Sequence, residues 1–270
     1  MLAPAQAPSR RHGAAPTALE CSLRTVPGEK GAPMSLSARP KFTWLGHSTV
    51  RCDLAGGEVV LIDPWLQGNP SCPEGAKELE RLDALLITHA HFDHIEDAVP
   101  LCQRFRPLVV ANFEICAWLG KHGVENLSAM NLGGTQKVLD LAVTMVRADH
   151  SSGFIVDGLP VYGGLASGYV VRTAGGFTFY HAGDTALFGE MSLIGELYRP
   201  QLAFLPIGDH FTMGPAQAAR ACRLLGVKEV VPIHWGTFPL LHGTPEALER
   251  ELKSLGANCS VVALPPGGSH

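Results

Sequence analysis

An apolar run that leads directly into a cluster of histidines is the feature that most constrains how this chain can fold. The run ALLIT (84–88) continues into HAHFDHIED, which holds three histidines and an aspartate within six residues. A short apolar run bounded in this way is typical of a buried strand. On an extended segment His89 and His91 point to the same side, so both can reach one ion. Asp93 and His94 follow at a predicted helix start, where they can reach a second ion.

Further residues of ligand type stand at the ends of other apolar runs. His150 follows VTMVR, Asp184 follows FTFYH, and His234 follows EVVPI. Strand ends are where an α/β scaffold presents catalytic groups. Histidines that fell by chance into one polar loop would not show this arrangement. Histidine and aspartate ligands suit Zn²⁺, Mn²⁺, Fe²⁺ or Ni²⁺, so the pattern predicts a metal site without choosing the ion.

Short apolar runs separated by glycine-bearing turns predict an α/β protein. Two helices are predicted, 215–225 and 244–255, each with a proline near its start and a glycine just past its end. Strands interleaved with helices form buried sheets that helices cover. The predicted strands are FTWL (42–45), VVLI (59–62), ALLIT (84–88), LVV (108–110), VTMV (143–146), GYVVRT (168–173), FTFYH (177–181), LAFLPI (202–207) and EVVPI (229–233).

Residues 1–38 differ in composition from the rest of the chain and are expected to lie outside the folded domain. They are rich in alanine, proline, glycine and serine and show no sustained apolar periodicity. We expect either a disordered tail or a start codon assigned too early, with Met34 as the true first residue. A few arginines leave a transit peptide as an alternative. Residues 39–270 then form the functional domain.

The composition argues against several classes of protein. A net charge of −4 with no basic excess disfavours a nucleic-acid partner, whose phosphates need neutralising. Without a run of about 18 apolar residues, no membrane-spanning helix is predicted. The seven cysteines show no C-x-x-C spacing, which disfavours a zinc ribbon or a disulfide scaffold and favours a reducing, cytoplasmic location. The oligomeric state stays open, a homo-oligomer included.

Taken together, these motifs resemble the metallo-β-lactamase superfamily. The likeness extends over about 41–264 and is closest to a branch of metal-dependent hydrolases related to ascorbate-6-phosphate lactonase and, more distantly, to N-acyl-phosphatidylethanolamine phospholipase D. It implies a four-layer αβ/βα sandwich with a dinuclear metal site at one edge. The motifs that carry it, besides the histidine cluster, are WLGHSTV (44–50), LIDPWLQGNP (61–70), HAGDTALF (181–188), LAFLPIGDHFTMGP (202–215) and VVPIHWGTFP (231–239).

The resemblance also implies a ligand set and a reaction. The nucleophile would be a hydroxide between two metals, oriented by Asp93, and the reaction would be hydrolysis of an ester, lactone, amide or phosphoester of a small molecule. The implied ligands are His89, His91 and His150 for the first metal, Asp93, His94 and His234 for the second, and Asp184 bridging both.

Four further polar residues lie near these motifs, and each has two interpretations. Asp63 is either a hydrogen-bond partner of a ligand histidine or a turn cap. His47 is either a substrate contact or a hydrogen-bonded core histidine. His210 is either a pocket residue that protonates a leaving group or part of a helix-capping loop. His181 is either structural or a hydrogen-bond partner of a ligand residue, because Asp184 already supplies the ligand at that turn.

Two alternative functions stay open beside the hydrolase of small molecules. The first is a metal-dependent nuclease or phosphodiesterase, against which the acidic net charge and the absence of a Lys/Arg cluster count. The second is a non-catalytic metal-binding or sensing protein. Retention of every ligand together with Asp93 argues against the second.

Overall fold

Two β-sheets form the centre of residues 39–270, which are the residues that this computed structural model describes. The expectation for residues 1–38 lies outside the described residues. The first sheet has six strands in sequential order, antiparallel from β1 to β3 and parallel from β3 to β6. Its strands are β1 (Lys41–Trp44), β2 (Val50–Asp53), β3 (Val59–Ile62), β4 (Ala84–Leu86), β5 (Leu108–Asn112) and β6 (Leu127–Met130).

The second sheet has seven strands, and a separate two-stranded hairpin is inserted into its sequence. Its spatial order is β15-β14-β13-β12-β11-β8-β7, while β9 and β10 pair only with each other. These strands are β7 (Thr135–Val138), β8 (Leu141–Arg147), β9 (Gly153–Val156), β10 (Leu159–Tyr162), β11 (Ser167–Thr173), β12 (Thr178–His181), β13 (Leu202–Pro206), β14 (Glu229–Ile233) and β15 (Ser260–Val261).

Seven helices connect the strands of the described region. The predicted start and end of α6 are confirmed, because Pro215 opens it and Gly226 ends it in the left-handed conformation (φ 67°). The hydroxyl of Thr244 caps α7 by accepting from the N–H of Ala247. The helices are α1 (Glu74–Lys77), α2 (Phe92–Ile95), α3 (Ala98–Phe105), α4 (Phe113–Lys121), α5 (Met191–Tyr198), α6 (Pro215–Leu225) and α7 (Pro245–Ser254).

The period-two alternation of the strands produces four layers. In β4, Ala84 and Leu86 belong to the core between the two sheets, whereas Leu85 packs with α3 and α4 on the outer face. In β13, Phe204 faces the other sheet, and Leu205 packs with α5, α6 and α7. Both faces of these strands are therefore buried, which explains why they read as continuous apolar runs. The predicted α/β class is confirmed.

The strand directions bring the ends of several strands to one edge. Because β1 and β3 are both antiparallel to β2, β1 runs in the same direction as β3 and β4. In the second sheet β8 and β12 are both antiparallel to β11, and β12, β13 and β14 are parallel. The residues that follow β1, β3 and β4 therefore share an edge, as do those that follow β8, β12 and β14.

Each of the nine predicted strands overlaps an observed strand, but the prediction left out several elements. The hairpin of β9 and β10 was missed although its signal is present. Asp157 and Gly158 (φ 51° and 78°) form the two-residue turn between FIV and LPVY, and Asp-Gly between apolar runs is a strong hairpin signal. Among the described helices, none has the length and apolarity that a membrane crossing requires.

The core between the sheets should be highly sensitive to truncation. The ring of Phe42 is fully buried and lies 4.8 Å from that of Phe179 and 5.3 Å from that of Phe204, centroid to centroid. We expect Phe42→Ala to lower the free energy of unfolding by about 3–5 kcal/mol, because burial is lost and a cavity remains. Urea titration followed by circular dichroism measures this. Phe113→Ala, at a residue that is 64% exposed, is the matched control and should change stability by less than about 1 kcal/mol.

Candidate metal centre

Histidine and aspartate side chains from both sheets converge at the shared edge. They form three groups in which each residue offers one ring nitrogen or carboxylate oxygen, and these atoms lie within 4.8 Å of one another. This spacing suits side chains that surround an ion. The groups are His89, His91 and His150; His47, Asp93, His94 and His234; and His89, His94 and Asp184.

The first group is the set predicted for the first metal. Nε2 of His89 lies 3.0 Å from Nδ1 of His91, and the His150 ring centroid is 5.1 Å from each of the other two. Burial lowers the pKa of all three imidazoles. They are therefore neutral near pH 7, which leaves a ring nitrogen lone pair for a metal ion.

Asp184, the predicted bridging ligand, lies close to histidines of both predicted ligand sets. Its Oδ2 is 3.0 Å from Nε2 of His234, 3.4 Å from Nε2 of His94 and 3.7 Å from Nε2 of His150. This carboxylate therefore faces residues of both predicted ligand sets. Burial opposes its charge, but His234 and His94 lower the pKa of Asp184 well below its ordinary value.

Among the described residues, unpartnered polar atoms in the cluster indicate, independently of the sequence motif, that these residues can bind divalent ions. Nε2 of His94 and Oδ1 of Asp184 are buried and have no hydrogen-bond partner. Buried polar atoms without partners are rare, and a bound cation would give both of them one. The ligand types, imidazole nitrogen and carboxylate oxygen, suit Zn²⁺, Mn²⁺, Fe²⁺ or Ni²⁺.

Asp63 is a buried hydrogen-bond partner of this cluster. It is fully buried, and its Oδ2 accepts from Nδ1 of His94 at 2.8 Å and from the hydroxyl of Thr88 at 2.7 Å. Its Oδ1 accepts from the Thr88 N–H at 2.8 Å. The interpretation of Asp63 as the partner of a cluster histidine is confirmed. Although burial opposes a charged ring, Asp184 and Asp63 raise the pKa of His94, so this position favours positive charge.

Unusual backbone conformations hold these side chains in place. His47, Asp63 and His234 all have left-handed φ angles, between 52° and 54°. Such angles are uncommon for residues other than glycine and gather at functional sites. Gly183 (φ 61°) comes so close to the neighbouring segment that a Cβ there would lie 2.8 Å from both Ser167 O and Thr88 Cβ. Only glycine fits at this position, which presents Asp184.

His47 lies behind Asp93, within the protein. Its ring is fully buried, with Nε2 2.9 Å from Oδ2 of Asp93 and Nδ1 2.9 Å from the hydroxyl of Thr237. Burial and the neighbouring His234 lower the pKa of His47 to about 4, so the ring is neutral. A carboxylate can only accept hydrogen bonds, so Nε2 of His47 donates to Asp93. Because a neutral ring has a single N–H, Nδ1 accepts from the hydroxyl of Thr237. This geometry favours the interpretation of His47 as a hydrogen-bonded core histidine.

Two other histidines lie apart from the ligand groups. His181 is buried, with Nε2 donating to the carbonyl of Ser48 and Nδ1 accepting from the N–H of Gly183, which is the predicted structural role. The structure leaves His210 exposed and outside the cavity lining, whereas the adjacent Phe211 lines it. A substrate contact of His210 stays a prediction.

A cavity of about 890 Å³ opens onto the cluster. His91, Asp93, His150, Asp184 and His234 line it together with apolar residues of the β9–β10 hairpin. A cavity of this size accommodates a small-molecule ligand. The sequence motifs did not indicate that the hairpin lies here, nor that Thr237 contacts His47, because a single threonine in a loop carries no pattern.

The fold and the cluster define a metal-dependent hydrolase of the metallo-β-lactamase fold. A family described as "Beta-lactamase superfamily domain" matches residues 58–235. A UPF0173 metal-dependent hydrolase of Koribacter versatilis is 52% identical over 227 residues, which are 84% of this chain and 96% of the relative. The chain therefore belongs to the UPF0173 metal-dependent hydrolases within the beta-lactamase superfamily.

Solved structures agree with this assignment. Igni18, a metallo hydrolase of Ignicoccus hospitalis, is 35% identical with a TM-score of 0.76, covering 86% of this chain and 97% of its own. The metallo-beta-lactamase fold protein YhfI of Bacillus subtilis is 17% identical with a TM-score of 0.66, covering 86% of this chain and 100% of its own. The second likeness shows the fold alone. The predicted fold and family are confirmed.

Removal of the charge on Asp63 should weaken metal binding. In Asp63→Asn the amide accepts one hydrogen bond fewer and no longer favours positive charge at His94. We expect the affinity for Zn²⁺ or Mn²⁺ to fall by about 10–100-fold, as is typical for partners of ligand histidines. Titration calorimetry on metal-free protein measures it. Asp53→Asn, which affects only the pair with Arg51 on β2, is the control. Equal affinities of Asp63→Asn and wild type would contradict this support role.

Proposed function

We propose that this protein is a dinuclear metal-dependent hydrolase that cleaves an ester, lactone, amide or phosphoester bond of a small molecule. The observation that carries this proposal is the position of Asp184, whose carboxylate lines the cavity and faces both ligand groups. Seven ligand-type side chains exceed what one four-coordinate ion uses. Residues His89, His91 and His150 would hold one ion, Asp93, His94 and His234 the other, and Asp184 would bridge them.

Divalent ions bound there would supply an activated water and polarise the carbonyl or phosphoryl oxygen that is attacked. The chain's own contribution begins with Asp93, whose carboxylate lines the cavity. Burial opposes its charge, but the hydrogen bond from His47 lowers the pKa of Asp93 to about 2, so it is ionised. An ionised carboxylate at this position can accept a proton from water and pass it on.

The reaction balances without a further reactant. The oxygen of water bonds to the acyl carbon or phosphorus, and the bond from that atom to the leaving oxygen or nitrogen breaks. One proton of the water reaches the leaving atom through Asp93. No electrons are gained or lost, so neither an oxidant nor a reductant is needed.

His47 would act as a positioning residue for Asp93. Its Nε2–H fixes Oδ2 of Asp93, and its backbone carbonyl accepts from the N–H of His234 at 2.8 Å. One residue thus holds two of the side chains proposed to surround the second ion. Thr237 in turn fixes the orientation of the ring through Nδ1.

Activity should depend on bound metal and on Asp93. The experiment is hydrolysis of p-nitrophenyl acetate and bis-p-nitrophenyl phosphate by protein stripped with a chelator and reconstituted with Zn²⁺, Mn²⁺ or Ni²⁺. We expect turnover to vanish on stripping and to return with metal. Asp93→Asn, loaded with metal, should turn over roughly two to four orders of magnitude more slowly, because the proton acceptor is lost.

Metal analysis provides the control for both parts of this experiment. We expect two ions per chain at saturation and retention of at least the ion held by His89, His91 and His150 in Asp93→Asn. One ion per chain at saturation would overturn the dinuclear proposal. Turnover of metal-loaded Asp93→Asn within a few-fold of wild type would overturn the role of Asp93.

The role of His47 makes a separate prediction. His47→Leu should lower kcat by about 10–100-fold with little change in KM, because Asp93 loses its fixed orientation. His47→Gln, whose amide N–H can still donate to Asp93, should restore most of kcat. Steady-state kinetics of the two variants test this. Equal losses in both variants would assign His47 to packing alone.

A further inference from the structure

The β9–β10 hairpin presents a row of apolar side chains to the cavity. Residues directly opposite one another in an antiparallel pair share a face. Ile155 pairs with Pro160, and Gly153 pairs with Tyr162, so Ile155, Pro160 and Tyr162 share one face. All three line the cavity, although Ile155 is 71% and Tyr162 64% exposed to solvent. Apolar side chains left open beside a reactive site are typical of a surface that a ligand covers.

The opposite face of the hairpin anchors it to the domain. Phe154 and Val161 lie across from each other, and Phe154 is buried against Trp118 of α4 with ring centroids 4.5 Å apart. These three side chains also contribute to the cavity lining. At the base of the hairpin, the hydroxyl of Ser152 accepts from the N–H of Ala90, which lies between two proposed ligand histidines. The apolar row is therefore held at a fixed place relative to the metal centre.

A second group of apolar residues lines the same cavity. Phe92 begins α2 and is 58% exposed, and Phe238 follows the His234 loop. Their rings pack on Trp65 at centroid distances of 5.6 Å and 5.8 Å. The indole N–H of Trp65 donates to Glu96 at 2.7 Å, which fixes this support. Side chains from separate parts of the chain thus give the cavity an apolar lining.

The charges of the lining select against anionic substrates. No lysine or arginine lines the cavity in the described part of the chain, and its acidic residues are Asp93, Asp184 and Glu96. The first two face the proposed metal ions. Beyond the ions, an additional phosphate or carboxylate of a substrate would meet Glu96, the hydroxyls of Ser151 and Ser152, and apolar surface, but no cation among the described residues. A nucleic acid or a sugar phosphate would find no cation for its remaining charges.

From these contacts we infer that the substrate is a neutral ester, lactone or amide that carries a hydrophobic acyl or aromatic group. That group lies against Ile155, Pro160 and Tyr162 of the hairpin and against Phe92 and Phe238. The inference rests on the proposed hydrolase function and names its substrate class. The reaction stays a plain hydrolysis: the acyl carbon gains the hydroxyl of water, and the leaving oxygen or nitrogen gains its proton.

The test is a series of p-nitrophenyl esters from acetate to octanoate, hydrolysed by metal-loaded full-length protein. We expect kcat/KM to rise about two- to fourfold per methylene until the cavity is filled, as burial of methylenes dictates. The mono-p-nitrophenyl ester of octanedioic acid, which ends in a carboxylate, should react at least about tenfold more slowly than the octanoate because its charge would be buried without a partner.

Matched variants on the two faces of the hairpin show which side chains cause the preference for long acyl groups. Ile155→Ser and Tyr162→Ser should lower the ratio of kcat/KM for octanoate to that for acetate by about tenfold or more. Leu159→Ser changes an equally exposed apolar residue (68%) that does not line the cavity, and it should keep the wild-type ratio. Melting temperatures verify that all three variants are folded.

A binding measurement separates this inference from the proposed function. N-phenyl-1-naphthylamine, a neutral aromatic dye, should bind metal-free wild type and Leu159→Ser alike, and Ile155→Ser at least about fivefold more weakly. Hydrolysis of no ester by the metal-loaded protein would refute the hydrolase proposal. Three outcomes would overturn only the substrate class. The first is metal-dependent hydrolysis of the acetate with no increase in kcat/KM for longer esters, and the second is a preference for the anionic ester. The third is the same octanoate-to-acetate ratio and the same dye affinity in Ile155→Ser and Leu159→Ser.

Discussion

Asp63 and Asp184 are carboxylates buried among histidine rings, and the structure around them depends on how their charges are compensated. A buried charge is costly unless it is paired and hydrogen-bonded. Asp63 meets this requirement within the protein, through Thr88 and His94. Asp184 does so only in part, because its Oδ1 has no partner among the described residues. His94 lies between the two, so the cluster holds together as a unit that favours a cation at its centre.

This compensation of the buried charges requires the two sheets to pack against each other in one fixed arrangement. Asp63 follows β3 and His94 lies in α2, which follows β4 of the first sheet, whereas Asp184 and His234 follow β12 and β14 of the second sheet. The apolar core between the sheets, to which Phe42 belongs, therefore fixes the geometry of the site as well as the stability of the fold. The left-handed backbone at Asp63 and His234 is the local cost of turning these side chains toward each other.

The cavity combines this polar cluster with apolar surroundings. Electrostatic interactions act more strongly where side chains exclude water, so a lining of aromatic and aliphatic residues would strengthen the proposed action of Asp93 and of the ions. His47 and Thr237 extend the polar network away from the cavity and into the protein. Under the proposed function, chemistry and substrate recognition would fall to different residues. The segments that follow β4, β8, β12 and β14 supply the proposed ligands, while the hairpin supplies much of the apolar surface.

The sequence by itself determined the α/β class, the family and the candidate ligands, because these depend on local patterns. Apolar runs that end in histidine or aspartate mark strand ends at a site, and a proline and a glycine mark the two ends of α6. Only the tertiary structure decided that Asp63 contacts His94, that His47 supports Asp93, and that the hairpin borders the cavity. The partners in the first two of these contacts are 31 and 46 residues apart in the chain. Their proximity follows from strand direction and sheet packing, which no local pattern encodes.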